Sequence, residues 1–151
     1  MYKRILLPID GSQISNAAIK EAVKLTKELG SKLVLFYAVP DYYYQSPPRR
    51  EGFLVPNRPK NDEQARKAME IEAKKMLASA VRNVNVAGVA VEQQFTRSNS
   101  PYEAIIEAAK KFKCELIVMA SHGQRGVSGV LLGSETQKVL THSTIPVLVV
   151  R

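Results

Sequence analysis

The chain has 151 residues, of which 45% are apolar and 24% are charged, and its 22 basic and 14 acidic residues give a formal net charge of +8. This composition is typical of one globular domain, and the single cysteine and two histidines exclude an internal disulfide and a cysteine-based zinc site. No apolar run approaches the roughly 20 residues that span a bilayer, and the N-terminus lacks a secretory signal, so we expect a cytoplasmic protein with no membrane span.

The first forty residues alternate between strand and helix patterns. Residues 3–9 form an apolar run, typical of a strand buried on both faces, which ends before an acid and a glycine. Residues 32–39 form a second strand of the same kind, which ends before a proline. Between these strands, helical spacing predicts a helix that Gly30 would end; the apolar positions are Ile14, Ala18, Ala22, Leu25 and Leu29.

Residues 41–61 interrupt this alternation. The segment contains four prolines and three consecutive tyrosines, Tyr42, Tyr43 and Tyr44, and it carries Arg49 and Arg50. Proline removes a backbone donor, and a loop of this length is usually functional or mobile. We interpret the segment as a long surface loop within a single domain over residues 1–151. Its tyrosines form either an adaptable contact surface or part of a loop with no specific role.

The remaining sequence continues the alternation to the C-terminus. Helical spacing over residues 65–84 predicts a long helix, and residues 89–96 predict a third strand with partial polar alternation. Ser100 and Pro101 are typical of the N-cap and first position of a further helix. Residues 115–120 form a fourth strand, a last helix follows over 134–141, and a fifth strand begins at Ile145 and ends at Val150.

Strands that alternate with helices indicate an α/β fold, here an open five-stranded parallel sheet of Rossmann-like type with helices on both faces. We expect the winding to reverse between the first and fourth strands, which corresponds to the strand order 3-2-1-4-5. Ligands of such sheets bind outside the carboxyl ends of the strands at this reversal. Asp10 and Ala120 lie at the ends of these two strands, so both should face one crevice.

Residues 120–136, ASHGQRGVSGVLLGSET, carry the strongest functional signal. The segment contains four glycines, follows a buried strand and leads into a helix. The N–H groups at a helix N-terminus bind phosphate, and glycine lets the backbone approach an anion closely. Ser134, Thr136 and Arg125 could add donors. The alternative is a plain strand-to-helix turn with Ser134 as N-cap, and the spacing matches neither a Walker loop nor GxGxxG.

Three blocks of the chain resemble the universal stress protein family over nearly its whole length: KRILLPIDGS, SPYEAIIEAAKKFKCELIVMASHG and LLGSETQKVLTHSTIPVLVV. ATP-binding members of that family have the signature G-x2-G-x9-G-[ST]. Gly123, Gly133 and Ser134 match this signature with the required spacing, whereas Ala120 stands at the first glycine position. The sequence is therefore similar to the ATP-binding branch.

The resemblance implies that the crevice holds the adenosine part of a nucleotide. Asp10 would lie beside the ribose and adenine, and Pro8 would shape the turn before it. Ala38 would line the adenine pocket through its backbone, beside Met119 and Ala120.

The resemblance also implies a phosphate side to the site. Gly123, Gly133 and Ser134 would bind phosphates, and Glu135 would do so through its main-chain N–H. His122 either polarises a phosphate or faces solvent beside it. No residue is assigned a catalytic or metal-binding role, because Asp10 and His122 alone do not make a catalytic set.

The implied function is that of an ATP-binding regulatory protein of the stress response with little or no catalytic turnover. Its ligand would be ATP or AMP, alone or with Mg²⁺, and its downstream protein partner is unknown. An apolar edge strand invites pairing with a second chain, and the resemblance implies a homodimer through the C-terminal strand. The alternative is an enzyme that hydrolyses ATP or transfers its adenylyl group. Nucleic acid is not the expected partner, because the lysines are dispersed over helical faces.

Overall fold

The computed structural model describes residues 1–11, 13–41, 62–121 and 132–151. Within these ranges the strands are β1 (Arg4–Pro8), β2 (Lys32–Val39), β3 (Val91–Arg97), β4 (Leu116–Ala120) and β5 (Val147–Val150). The helices are α1 (Gln13–Leu29), α2 (Asp62–Val86), α3 (Pro101–Lys111) and α4 (Ser134–His142). All five predicted strands are confirmed, and their ends shift by at most two residues. The long loop predicted over 41–61 lies, after Asp41, outside the described residues.

The strands form one parallel sheet in the order β3-β2-β1-β4-β5, as predicted. β1 lies between β2 and β4, so the winding reverses between β1 and β4. The register there pairs Ile5 with Leu116 and Leu6 with Ile117. Because the strands are parallel, their carboxyl ends lie along one edge, which is where ligands of doubly wound sheets bind.

Helices cover the central strands on both faces. In β1, Ile5 and Leu7 pack in a core cluster with α1 and α2, whereas Leu6 packs in a second cluster with α3 and α4. Successive residues of a strand point to opposite faces, so the buried positions of a strand covered twice must be apolar without alternation. This requirement explains the uninterrupted apolar runs of β1, β2 and β4.

The edge strand β3 has a different pattern because apolar packing is found on one of its faces. Val91 and Phe95 pack against the α1 and α2 cluster. Glu92 and Gln94 lie between them in sequence, point to the opposite face and stay partly exposed. The partial alternation seen in the sequence is therefore the pattern of a strand with one apolar and one polar face.

Helix α1 ends as its sequence predicts. Gly30 has a φ of +60°, a conformation that strains residues with a Cβ. The N–H of Ser31 donates to the carbonyl of Thr26 at 2.9 Å, so the turn satisfies a carbonyl that the helix end leaves open. No helix in the described ranges is both long enough and apolar enough to cross a membrane.

Glu92 connects three neighbouring strands near their amino ends. Its carboxylate contacts Lys32 of β2 and, at 2.7 Å, Arg4 of β1. The hydrogen bonds from Lys32 and then Arg4 lower the pKa of Glu92 below its usual value. A lowered carboxyl pKa adds stability above the pKa of the unfolded chain, and this stability is lost as pH falls through the folded-state pKa. The group is partly exposed, so the contribution is small.

Cys114 is buried, as its sequence position suggested, with 5% of its surface exposed. Burial raises the pKa of its thiol from 9.0 to about 11. The folded protein therefore keeps a proton that the unfolded chain loses, and stability should fall as pH rises from about 9 to about 11.

We expect the Cys114 thiol to react with a disulfide reagent at least about 100-fold more slowly in the folded protein than in guanidinium. The thiolate is the nucleophile, and a pKa raised by this much lowers its fraction near neutral pH by that factor. Stopped-flow absorbance of the released thiol measures both rates, and Cys114→Ser provides the blank. Equal rates in the two states would contradict the buried position.

Candidate functional site

The candidate site lies where β1 and β4 end side by side. Leu6 of β1 pairs with Ile117 of β4, and counting this register forward brings Pro8 level with Met119. Pro8 is the last residue of β1 and pairs with Phe36 of β2 on its other side. The N–H of Ile9 donates to the carbonyl of Phe36 at 2.8 Å, which holds the chain in place just before Asp10.

Asp10 lies at the start of the turn that leads from β1 to α1, and it is partly exposed. Gly11 follows with a φ of +78°, so the chain turns sharply through a conformation that glycine adopts without a Cβ clash. The structure thus places the Asp10 carboxylate at the carboxyl edge of the sheet, beside the reversal of winding, as the sequence predicted.

Ala38 and Met119 occupy neighbouring positions along the same edge but differ in exposure. Ala38 lies one residue before the end of β2 and is partly buried. Met119 is 6% exposed and packs in the core cluster with α3 and α4. The side chain of Met119 is therefore mainly a core group, and only its backbone is available to line a pocket.

Ala120 ends β4, where it pairs with Val150 of β5. Among the described residues, the non-glycine positions with positive φ are Tyr2 and Lys113, so Ala120 has a φ that suits an alanine. Its side chain packs against the α1 and α2 cluster. Alanine at the first glycine position of the family signature therefore causes no backbone strain in this structure.

The first turn of α4 is attached directly to the end of β4. The N–H of Gly133 donates to the carbonyl of Ser121 at 2.7 Å. The buried hydroxyl of Thr136 donates to the carbonyl of Ala120 at 3.0 Å. The first helical hydrogen bond runs from the N–H of Gln137 to the carbonyl of Gly133 at 3.0 Å. The helix N-terminus is thus held at the carboxyl edge of the sheet.

Helix geometry gives the N–H groups of Ser134, Glu135 and Thr136 no acceptor within the helix. The N-cap is Gly133, with no side-chain oxygen to cap them, so the alternative of Ser134 as N-cap is wrong. Gly133 has φ −60° and ψ 148°, which any residue adopts, so the backbone conformation does not require glycine here. Glycine at this position leaves no Cβ directly before these three donors.

The carboxylate of Glu135 points to α3. Its Oε2 accepts a hydrogen bond from the N–H of Tyr102 at 2.9 Å, and its Oε1 lies 3.0 Å from Nζ of Lys138. Ser100 occupies the N-cap position of α3 as predicted, but its side chain makes no capping hydrogen bond. The predicted N-cap position is therefore confirmed, but the hydrogen bond from the first turn of α3 goes to Glu135, distant in sequence, and not to the Ser100 side chain.

Several predicted positions lie outside the described residues. These are His122, Gly123 and most of the glycine-rich segment, together with Tyr42, Tyr43 and Tyr44. In the parts of the chain that the structure describes, no group of three or more His, Cys, Asp or Glu side chains is placed to hold a metal ion.

Together, the sheet order and the α4 N-terminus define a doubly wound α/β protein with a candidate anion site at the reversal of winding. The family model described as "Universal stress protein family" matches residues 1–151, and the chain belongs to this family. A universal stress protein of Thermus aquaticus is 34% identical over 154 residues, covering 100% of both chains. Universal stress protein MJ0577 of Methanocaldococcus jannaschii is 30% identical over 169 residues, covering 100% of this chain and 96% of the relative.

Solved structures show the same fold. The structure of MJ0577 superposes with a TM-score of 0.80 at 24% identity, covering 99% of this chain and 96% of that chain. A universal stress protein of Archaeoglobus fulgidus in complex with dAMP has a TM-score of 0.68 at 20% identity, with 99% and 98% covered. A universal stress protein in complex with cAMP has a TM-score of 0.68 at 22% identity, with 99% and 97% covered.

Proposed function

We propose that this protein binds an adenine nucleotide at the carboxyl edge of its sheet, with the phosphates on the first turn of α4. The observation that carries the proposal is the attachment of this turn to the end of β4, which presents three N–H groups beside Gly133. A helix N-terminus favours an anion through these donors and through its partial positive charge. The dAMP and cAMP complexes of structurally similar family members support the same ligand class.

The adenosine side of the proposed site uses the ends of β1, β2 and β4. The Asp10 carboxylate would accept hydrogen bonds from ribose hydroxyls, and the backbones of Ala38 and Met119 would line the adenine pocket. Pro8 and Ala120 would form the floor between them. The partial exposure of Asp10, Ala38 and Ala120 supports this assignment, because a residue that contacts a ligand must be reachable from the crevice.

The phosphate side would use the main-chain N–H groups of Ser134 and Glu135, with Gly133 leaving space for the anion. Gly123 belongs to this side through the family signature, and His122 through its position directly before Gly123. We take ATP as the ligand, because Gly123, Gly133 and Ser134 match the signature of the ATP-binding branch, with Ala120 in place of its first glycine. AMP is the second candidate ligand. Mg²⁺ would bind together with the nucleotide, coordinated by its phosphates.

In this proposal the protein regulates a protein partner in the cytoplasm, and nucleotide occupancy is the signal rather than the product of turnover. Titration calorimetry with ATP, AMP and GTP, each with and without Mg²⁺, tests the binding. We expect saturable heat with ATP and weaker heat with GTP; no heat at millimolar ATP would contradict the proposal. Release of ADP, AMP or pyrophosphate faster than about 1 s⁻¹, an ordinary enzyme rate, would instead favour an enzyme.

We further propose that two copies associate through β5. This strand is at one end of the sheet order, and its residue Leu148 is 43% exposed. An apolar edge strand can pair with its symmetry copy across a two-fold axis, which buries the same surface on both chains.

Light scattering on a sizing column tests the dimer. We expect wild type to elute with the mass of two chains and Leu148→Lys with the mass of one, because the substitution would bury two unpaired charges at the interface. Ile71→Lys is the matched control, since Ile71 is 53% exposed on α2 and should leave the mass unchanged. A monomeric wild type would contradict the dimer.

A further inference from the structure

One carboxylate joins the first turns of α3 and α4. Glu135 accepts a hydrogen bond from the N–H of Tyr102 at 2.9 Å through Oε2, and its Oε1 lies 3.0 Å from Nζ of Lys138. Lys138 Nζ also lies 5.5 Å from the centre of the Tyr102 ring, and the ring of His142 lies 5.4 Å from the same ring. The contacts of the Glu135 side chain thus belong to a compact junction between the two helices.

This junction occupies the N-terminus of α3. Pro101, the first residue of that helix, has no N–H, and the Ser100 side chain makes no capping hydrogen bond. The Glu135 carboxylate therefore supplies the hydrogen-bond acceptor that the Ser100 side chain does not, and it adds to the negative charge of Glu103 in the first turn of α3. Both its oxygens have partners within the junction, so its charge is compensated by α3 and Lys138.

The first turn of α4 is consequently held from two sides. The hydrogen bonds of Gly133 and Thr136 attach it to β4, and Glu135 attaches it to α3. We infer that Glu135 is a positioning residue for the phosphate site, because its carboxylate fixes the direction in which the N–H groups of this turn point. This inference rests on the proposed function, in which the main-chain N–H of Glu135 binds the phosphate. It adds a role for the side chain of the same residue.

A purely electrostatic role for Glu135 makes the opposite prediction. An uncompensated carboxylate beside a polyphosphate would weaken binding through like-charge repulsion, so its removal would tighten ATP binding. If Glu135 acts by positioning, its side chain must keep an oxygen that accepts the hydrogen bond from Tyr102, whereas its negative charge is less important. Glu135→Gln keeps an oxygen that can accept from Tyr102, and Glu135→Ala removes it.

Calorimetry with ATP and with adenosine separates these roles. We expect Glu135→Ala to weaken ATP binding about tenfold, which corresponds to about 1.4 kcal/mol, and to leave adenosine binding unchanged. Glu135→Gln should stay within about threefold of wild type, since it keeps the hydrogen bond to Tyr102. Glu103→Ala is the matched control, because Glu103 contacts the Tyr102 hydroxyl at 2.9 Å within α3. ATP binding by Glu135→Ala that equals or exceeds wild type would overturn the inference.

Hydrogen exchange without nucleotide gives an independent readout. The amides of Gly133 and Gln137 donate to Ser121 and Gly133, and we expect faster exchange of both in Glu135→Ala but not in Glu135→Gln or Glu103→Ala. Unchanged protection in Glu135→Ala would overturn the positioning role alone. A wild type that binds no nucleotide would overturn the proposed function, and the positioning role with it.

Discussion

Replacing Gly133 by valine is expected to abolish ATP binding while the protein stays folded. Gly133 has a φ of −60° and a ψ of 148°, which valine adopts without strain, and its N–H bond to Ser121 does not depend on the side chain. The valine side chain would instead project beside the N–H groups of Ser134 and Glu135 and prevent close approach of the phosphate. We expect the dissociation constant to rise at least about 100-fold, a loss of about 2.7 kcal/mol.

Calorimetry and thermal unfolding of Gly133→Val measure the two parts of this prediction. Thr141→Val is the matched control, since it places valine on the exposed part of α4, two turns from the helix N-terminus. The control should bind ATP as wild type does. Unchanged ATP binding by Gly133→Val would show that the phosphate lies elsewhere, and a collapse of its melting temperature would show that the substitution acts on folding.

Truncating Phe36 to alanine should produce the largest loss of stability of any substitution named here. Phe36 is fully buried in the cluster that joins β1 and β2 to α3 and α4. Removing a buried phenyl ring costs the transfer free energy of the ring and leaves a cavity, together about 3–5 kcal/mol. The backbone carbonyl of Phe36 still accepts from Ile9, so any residual folded protein should keep the end of β1 in place.

Urea unfolding followed by circular dichroism measures this free energy of unfolding. Ile71→Ala is the control, because Ile71 is largely exposed on α2 and its truncation should cost less than about 1 kcal/mol. A cost for Phe36→Ala similar to that of the control would contradict the two-sided core on which the fold depends.

Local patterns were sufficient to predict the strands because three of them are buried on both faces. The buried positions of a strand such as β1 form an unbroken apolar run, because helices cover both of its faces. The partly polar β3 was also recognisable, although Val89 precedes the strand instead of beginning it. The sheet order is confirmed by the structure, with the two less buried strands, β3 and β5, at its edges.

The sequence predicted which residues lie at the candidate site, but not the hydrogen bonds that hold its elements together. Asp10 follows β1, Ala120 ends β4 and Gly133 precedes α4, and the sequence marks all three elements, so their common edge could be anticipated. The capping of α3 by Glu135 could not, because Glu135 and Tyr102 are separated by 33 positions and meet only through packing of two helices. A serine before a proline is a strong local signal for an N-cap. Ser100 does occupy that position, but the hydrogen bond that its side chain could accept goes to Glu135 instead.

The central claim is that the first turn of α4 binds the phosphates of an adenine nucleotide. Titration of ¹⁵N-labelled protein with ATP, followed by amide chemical shifts, tests it most directly. We predict that the amides of Ser134, Glu135 and Thr136 shift most and saturate together, with smaller changes at Asp10 and Ala38. Absence of shifts at millimolar ATP, or shifts confined to the opposite edge near Lys113, would contradict the claim.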